Sequence, residues 1–254
     1  MPADALYRLR RQAHAAYVVA KKDALIYYLK PPVISFGIVF PLFFYLAFAA
    51  GRSVPTEMMV PGIVAMALFF TASAIGPLVT PWERQARTFE RLVTSPASLE
   101  AILIGDVVAG MAFGALLSFV PLLLGTVVAS AHIAHPACLM PGLVLGALAF
   151  SAMGVLMAAP PTNAPSQIMM LSSLVRLPLI FISGVFVPHA DMPQWGQWLS
   201  PLSPLSYSAD LIRVGFGGAP YFPLPVDIAA LVGFTLLFFA AARFIHRLTR
   251  DKAR

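Results

Sequence analysis

Few side chains in this 254-residue chain are of a kind that does chemistry, and their spacing argues against most of it. The five histidines, His14, His132, His135, His189 and His246, are scattered over chain ends and turns. His132 and His135 have an i, i+3 spacing that suits a metal ion, yet no carboxylate or cysteine lies near them in sequence. Two unrelated turn residues are the simpler reading. Cys138 stands alone, so neither an internal disulfide nor a cysteine-based metal site is expected, and its role is packing. Ser183–Gly184 looks like a nucleophile without its base, since no histidine falls inside an apolar run. A glycine-rich phosphate loop with a following lysine is absent, and with it the usual means of holding ATP. The expectation is a chain with no catalytic residue, no metal and no cofactor of its own, hence not an enzyme.

Two charged features are left over. Arg176 is the one basic residue deep in an apolar run, where a guanidinium costs roughly 2.5–3.5 kcal/mol on insertion scales. It should either face the bundle interior or a wet cavity, as a contact for an anionic headgroup or substrate, or snorkel along its own stem to the interface. The other feature is the polar stretch Pro81–Ser98, PWERQARTFERLVTSPAS, the one sizeable charged, helix-capable segment between apolar runs. Its acids Glu83 and Glu90 interleave with Arg84, Arg87 and Arg91. On a continuous helix Glu83–Arg87 is an attractive i, i+4 pair and Arg87–Arg91 a repulsive one, each worth roughly 0.2–0.5 kcal/mol. That mix gives a solvated helix little, so the arginines read as facing an acidic cleft on a soluble partner. Asp106, a little further on, is expected at the interface, paired with one of those arginines.

The elements that must hold these residues follow from composition. Hydrophobic residues make up 59% of the chain and charged ones 11%, where a soluble domain carries roughly a quarter charged. An all-α membrane protein of one domain is expected. The formal charge of +6 sits at the chain ends and in the polar stretch, which fits the positive-inside rule and not nucleic-acid binding. Residues 1–30 are not expected to be a cleavable signal, lacking its basic, apolar and small-residue order, and an interfacial helix is expected over 3–30. Leu6, Leu9, Ala13, Tyr17, Ala20, Ala24 and Tyr27 recur there at three- and four-residue steps, with Arg8, Arg11, Lys21 and Lys22 off that stripe. This is the pattern of an amphipathic helix lying in the bilayer interface, and Pro31–Pro32 ends it. Apolar runs then predict six transmembrane helices at about 33–50, 58–79, 101–130, 137–159, 167–187 and 224–245. Pro121 should kink the third, and Gly142, Gly146 and Gly154 would let the fourth approach a neighbour closely.

Residues 188–223 are too polar and too rich in proline for one straight span. Trp195, Trp198 and Tyr207 fit an interfacial belt, and prolines at helix starts suggest short helices re-entering the outer leaflet. Lys and Arg number six over residues 8–30, three in the polar stretch and five from Arg243 on, against Arg52 and Arg213 in the opposite turns. Both termini and the polar stretch are therefore expected in the cytoplasm, with 188–223 outside.

Three motifs, in order along the chain, resemble those of the ABC type-2 transporter permeases, the membrane subunits of ABC exporters. Glu83-Arg-Gln-Ala-Arg-Thr-Phe-Glu90-Arg-Leu-Val-Thr-Ser-Pro96 is similar to the family's cytoplasmic element E-R-x-x-G-T-x-E-x-L-x-x-T-P. Ser183-Gly-Val-Phe-Val-Pro188 with Pro193 and Trp195 is similar to S-G-x-x-x-P followed by L-P-x-W. Pro204-Leu-Ser-Tyr207 with Asp210 and Arg213 is similar to N-P-L-x-Y-x-x-D-x-x-R. Order, spacing and six-span layout match over essentially the full chain. The resemblance implies two permease copies, a homodimer by family habit, forming the pathway in the cell inner membrane. Two cytoplasmic ABC ATPase subunits would carry the ATP and magnesium below.

It further implies that 81–98 contains a coupling helix, with Glu83, Arg84, Arg87, Thr88, Glu90, Arg91, Leu92, Thr94 and Pro96 docking the ATPase. Read from the residues themselves, Pro188, Pro193, Trp195, Pro204, Tyr207, Asp210 and Arg213 are the candidates for an outer gate, against a merely structural lid, and Arg176 is the candidate for a substrate cavity. Drugs, lipids or lipid-linked glycans are the implied exports. The chain departs from the pattern at Ala86-Arg87-Thr88, where the family often has glycine before the threonine, at Asp106, where lysine is frequent, and at Ser203, which replaces asparagine. A secondary transporter, the first alternative, would be expected to carry intramembrane acids for ion coupling. A membrane-embedded lipid-modifying enzyme, the second, would need a converged carboxylate, histidine or metal set.

Overall fold

Prolines start most of the helices in the second half of the chain. In the computed structural model, which describes residues 2–27, 35–39, 42–43, 45–47, 56–88, 97–162 and 164–252, the described residues form helices joined by turns and short irregular links and contain no strand. The helices are α1 (Pro2–Tyr27), α2 (Thr56–Ala72), α3 (Ile75–Gln85), α4 (Leu99–Leu123), α5 (Pro136–Ala158), α6 (Pro165–Phe181), α7 (Gln194–Leu199), α8 (Pro204–Gly215) and α9 (Leu224–Lys252). Pro136, Pro165 and Pro204 each open a helix, where the missing N–H costs nothing and the ring presets φ. Four helical stretches are long and apolar enough to cross a membrane, namely Met59–Gln85, Leu99–Val127, Pro136–Ala158 and Leu224–Leu248. Helix α6 is apolar but shorter, and it occupies the place of the expected fifth span. The expected first span, 33–50, lies mostly outside the described residues.

The second span differs from expectation at both its middle and its end. It runs on as helix to Gln85, beyond the boundary expected at 79, and it breaks at Ser73–Ala74 between α2 and α3. Pro77 explains the break, because the carbonyl of Ser73 would bond the N–H of residue 77 in a continuous helix and proline has none. Thr71 and Ser73 add to the bend by turning their hydroxyls back onto the carbonyls of Ala67, at 2.6 Å, and Phe69, at 2.5 Å. Helix α4 is capped by Ser98, whose hydroxyl accepts from the Ala101 N–H at 3.1 Å, and it closes in a wider π-type turn at Leu124–Val128.

Helix α5 is the hub, packed against α2, α3, α4, α8 and α9. A Cβ on Gly76 would lie 2.1 Å from the Gly154 carbonyl oxygen, and one on Gly154 would lie 2.5 Å from the Ser73 carbonyl oxygen. Only a backbone without side chains lets α3 and α5 meet this closely. Gly142 and Gly146 face α8, where the Ser208 hydroxyl donates to the Gly142 carbonyl at 2.9 Å. The three glycines thus do hold close helix approaches. Phe69 and Phe150 meet edge to face at 5.0 Å in the core between α2 and α5. Leu116, Leu174 and Leu236 point outward from α4, α6 and α9, the apolar exterior of a bundle made for lipid.

Candidate functional sites

At one end of the bundle α1 lies against α4, so closely that a Cβ on Gly105 would come within 2.7 Å of Val19. This contact carries Lys22 and Asp23 over Glu83 and Asp106. The Lys22 ammonium donates to Glu83 Oε1 and lies 3.0 Å from Asp23 Oδ1. Asp23 is fully buried and faces Asp106, which is 5% exposed. Burial pushes the Asp23 carboxyl up, only partly countered by Lys22. For Lys22 burial opposes the charge, but Asp23 and Glu83 outweigh it and hold the ammonium above the usual lysine range.

Two expectations are corrected here. Glu83 pairs with Lys22 and not with Arg87, and among the described residues the cation beside Asp106 is Lys22, with Asp23 and Glu83 close by. Helix α3 stops at Gln85, and Arg87 takes φ +55°, a left-handed conformation that swings it off the face of Glu83. That conformation usually belongs to glycine at a helix C-terminus, and Arg87 stands where the resemblance would place one. The departure from glycine is legible in the sequence, and the left-handed backbone it requires of Arg87 is seen in the fold.

Arg84 is engaged on the protein itself. Its guanidinium donates to the carbonyls of Pro160 and, at 3.3 Å, Ala159, the end of α5 where carbonyls lack helical partners. The Thr88 hydroxyl donates to the Glu83 carbonyl at 3.2 Å and helps close the turn. Gln85, Ala86, Arg87 and Thr88 are exposed. Glu90, Arg91, Leu92, Thr94 and Pro96 lie outside the described residues. Beyond them the Ser98 N–H donates to Gln12 Oε1 of α1 at 2.9 Å. Helix α1 thus holds both ends of the polar stretch, through Lys22 at Glu83 and Gln12 at Ser98. Glu100, in the first turn of α4, pairs with Arg243 at 3.0 Å and Arg247 at 2.8 Å, which brings the basic end of α9 to the same end of the bundle.

At the opposite end α8 places Tyr207, Asp210 and Arg213 together. Asp210, 1% exposed, accepts from the N–H groups of Tyr221, at 2.8 Å, and Phe222, at 2.8 Å, and pairs with Arg213. The Arg213 guanidinium stacks 3.3 Å above the Tyr221 ring. The Tyr207 hydroxyl donates to the Pro201 carbonyl at 2.9 Å, and burial, then the nearby Asp227, pushes its phenol up. Gly62, Ser183, Asp210, Arg213 and Tyr221 border a cavity of about 30 Å³, room for about one water. Pro204 opens α8, Pro188 precedes a single 3₁₀ turn, and Pro193 precedes α7. Trp195 stays at the surface, 62% exposed. Sequence reasoning missed Tyr221 and Phe222. Their place just ahead of the last span, after Gly217–Gly218, was the available hint.

Arg176 lies between these ends. It is 8% exposed and donates to the Ser73 carbonyl, the one freed by Pro77. Among the described residues its Nε–H and the hydroxyl of Ser172, one turn earlier on α6, have no partner. Both residues border a cavity of about 90 Å³ between α6 and the α2–α3 break. Among the described residues no group of three or more metal-ligating side chains occurs.

Residues 15–216 match the family described as ABC-2 type transporter. The chain is 27% identical over 216 residues to the inner membrane transport permease YadH of Escherichia coli strain K12, covering 83% of this chain and 84% of that one. It is 26% identical over 225 residues to the daunorubicin resistance ABC transporter permease protein DrrB1 of Streptomyces coeruleorubidus, covering 85% and 76%. It is 25% identical over 244 residues to nodulation protein J of Sinorhizobium fredii, covering 93% and 91%.

Proposed function

Because this chain belongs to the ABC-2 type transporter family, as the membrane subunit of an ABC transporter in the inner membrane, we propose that it is the passive, ATP-coupled half of an exporter for an amphipathic substrate. ATP and magnesium bind to two copies of a cytoplasmic ATPase, and this chain contributes no catalysis and no cofactor site. A second permease copy completes the pathway. Both termini and residues 81–98 face the cytoplasm, and the helices within 188–223 close the outer end.

The observation that carries this reading is the double tether of the polar stretch. Helix α1 fixes it at Glu83 through Lys22 and at Ser98 through Gln12. A segment so held transmits force to α3 and α4 when a partner pushes on the surface that begins at Gln85. Of the coupling residues, Arg87 is exposed for docking, while Glu83 and Arg84 serve as the joint behind it. A secondary transporter fits less well. Among the described residues the buried acids lie at the two ends of the bundle, Asp23 and Asp106 at the tethered end and Asp210 and Asp227 at the other, with the cation Arg176 between them. The test is co-purification of the full chain with its cognate ABC ATPase. Arg87→Glu with Arg91→Glu is expected to abolish both co-purification and permease-stimulated ATP hydrolysis while leaving thermal unfolding unchanged. Unaltered coupling in that variant refutes docking at this surface.

A further inference from the structure

The cavity beside Arg176 has the chemistry of a binding site. Phe70, Pro77 and Leu78 form one wall, Met169, Ser172 and Arg176 the other, and the partly open cavity between them measures about 90 Å³. Arg176 spends one N–H on the Ser73 carbonyl, while its Nε–H and the Ser172 hydroxyl have no partner among the described residues. Among the described residues no carboxylate is ion-paired with it. A guanidinium removed from water needs an anion and further hydrogen bonds to be tolerated. Its planar fork of donors matches a carboxylate or phosphate, and Ser172, one turn away on the same helix face, adds a hydroxyl.

Size limits what enters. Pockets that enclose a drug-sized molecule measure roughly 300–1,000 Å³, so about 90 Å³ takes a single headgroup. The facing wall is apolar, and Met170 and Leu174 present an exposed apolar strip on the outside of α6. A tail attached to the headgroup would find hydrocarbon there.

We propose that Arg176 and Ser172 form a subsite for the carboxylate or phosphate headgroup of an amphipathic molecule. This rests on the transporter reading above and narrows its substrate class to amphipathic anions, with the headgroup supplied by cargo or by a membrane lipid. The test uses the full chain purified without its ATPase and titrated by native mass spectrometry. The probes are phosphatidylglycerol, single-chain dodecyl phosphate and, as reference, zwitterionic phosphatidylcholine. Wild type should bind at least one anionic probe tenfold more tightly than the reference. Arg176→Gln should lose that preference to within about twofold, Arg176→Lys should keep part of it, and Ser172→Ala should weaken it severalfold.

Preference for phosphatidylglycerol identifies a resident lipid, and preference for dodecyl phosphate identifies a cargo-like amphiphile. Equal binding of all three probes by wild type overturns the subsite, as does an Arg176→Gln protein that binds like wild type. If that variant does not fold, wild-type affinity in Ser172→Ala has the same force. No ATPase or transport enters the measurement. A negative result therefore leaves the coupling surface standing, and failed ATPase co-purification leaves the subsite standing.

Discussion

Replacing Lys22 with methionine removes the cation from a site that keeps Asp23, Glu83 and Asp106. The methylene stem stays and the Val19–Gly105 contact is untouched, so the effect is electrostatic. Glu83 is 5% exposed and Asp23 fully buried, and removing one partner of such a pair costs about 3–5 kcal/mol. At about 1.4 kcal/mol per tenfold, the ratio of docked to released α1 should fall at least a hundredfold. Maleimide labelling of a cysteine at Val19, itself 4% exposed, in a Cys138→Ser background reads that ratio. A second reporter, Ala147→Cys in the core of α5, should remain protected, which separates release of α1 from global unfolding.

The pH dependence has a definite sign. The Asp23 pKa is raised on folding, so its contribution to stability is fully present below the ordinary carboxylate range near 4 and is lost as pH rises through the raised value. Lys22, also raised, keeps its charge throughout the neutral range and adds no slope there. Acidification should therefore tighten α1 in wild type and rescue Lys22→Met, while Asp23→Asn should flatten the slope. If Val19 is labelled equally in wild type and Lys22→Met at neutral pH, the tether is not electrostatic and the reasoning fails.

Arg87→Gly should relieve the left-handed strain at φ +55°, raising thermal stability by up to about 1 kcal/mol while reducing stimulation of the ATPase. A variant that loses both would show that Arg87 is structural. Arg176→Gln should cost about 1–3 kcal/mol in detergent unfolding by orphaning the Ser73 carbonyl, and much less in a Pro77→Ala background, where residue 77 regains an N–H for that carbonyl. Additive single and double mutants would mean that Pro77 and Arg176 are not linked through Ser73.

What could be read in the sequence was local, and what could not was a partner far along the chain. Pro204 announced a helix start because proline's constraints act on its immediate neighbours, whereas Pro136 and Pro165, expected in turns, open their helices. The glycines of α5 marked close approaches without saying to what. Glu83 and Lys22 are 61 positions apart, and helical spacing alone favoured the nearer Arg87. That preference holds only while the helix continues, and the turn at Arg87 cancels it.

Arg176 shows how the two kinds of information combine. Pro77 deprives Ser73 of a partner by a rule of backbone chemistry legible in the sequence, but a bundle must form before the donor 103 positions away can reach it. Gly154 lets α5 press against that same carbonyl, which leaves water little room to serve it instead. The break in the second span, the glycine in the fourth and the arginine in α6 therefore belong to one arrangement. A single unsatisfied carbonyl, created by a proline, fixes where the buried charge sits.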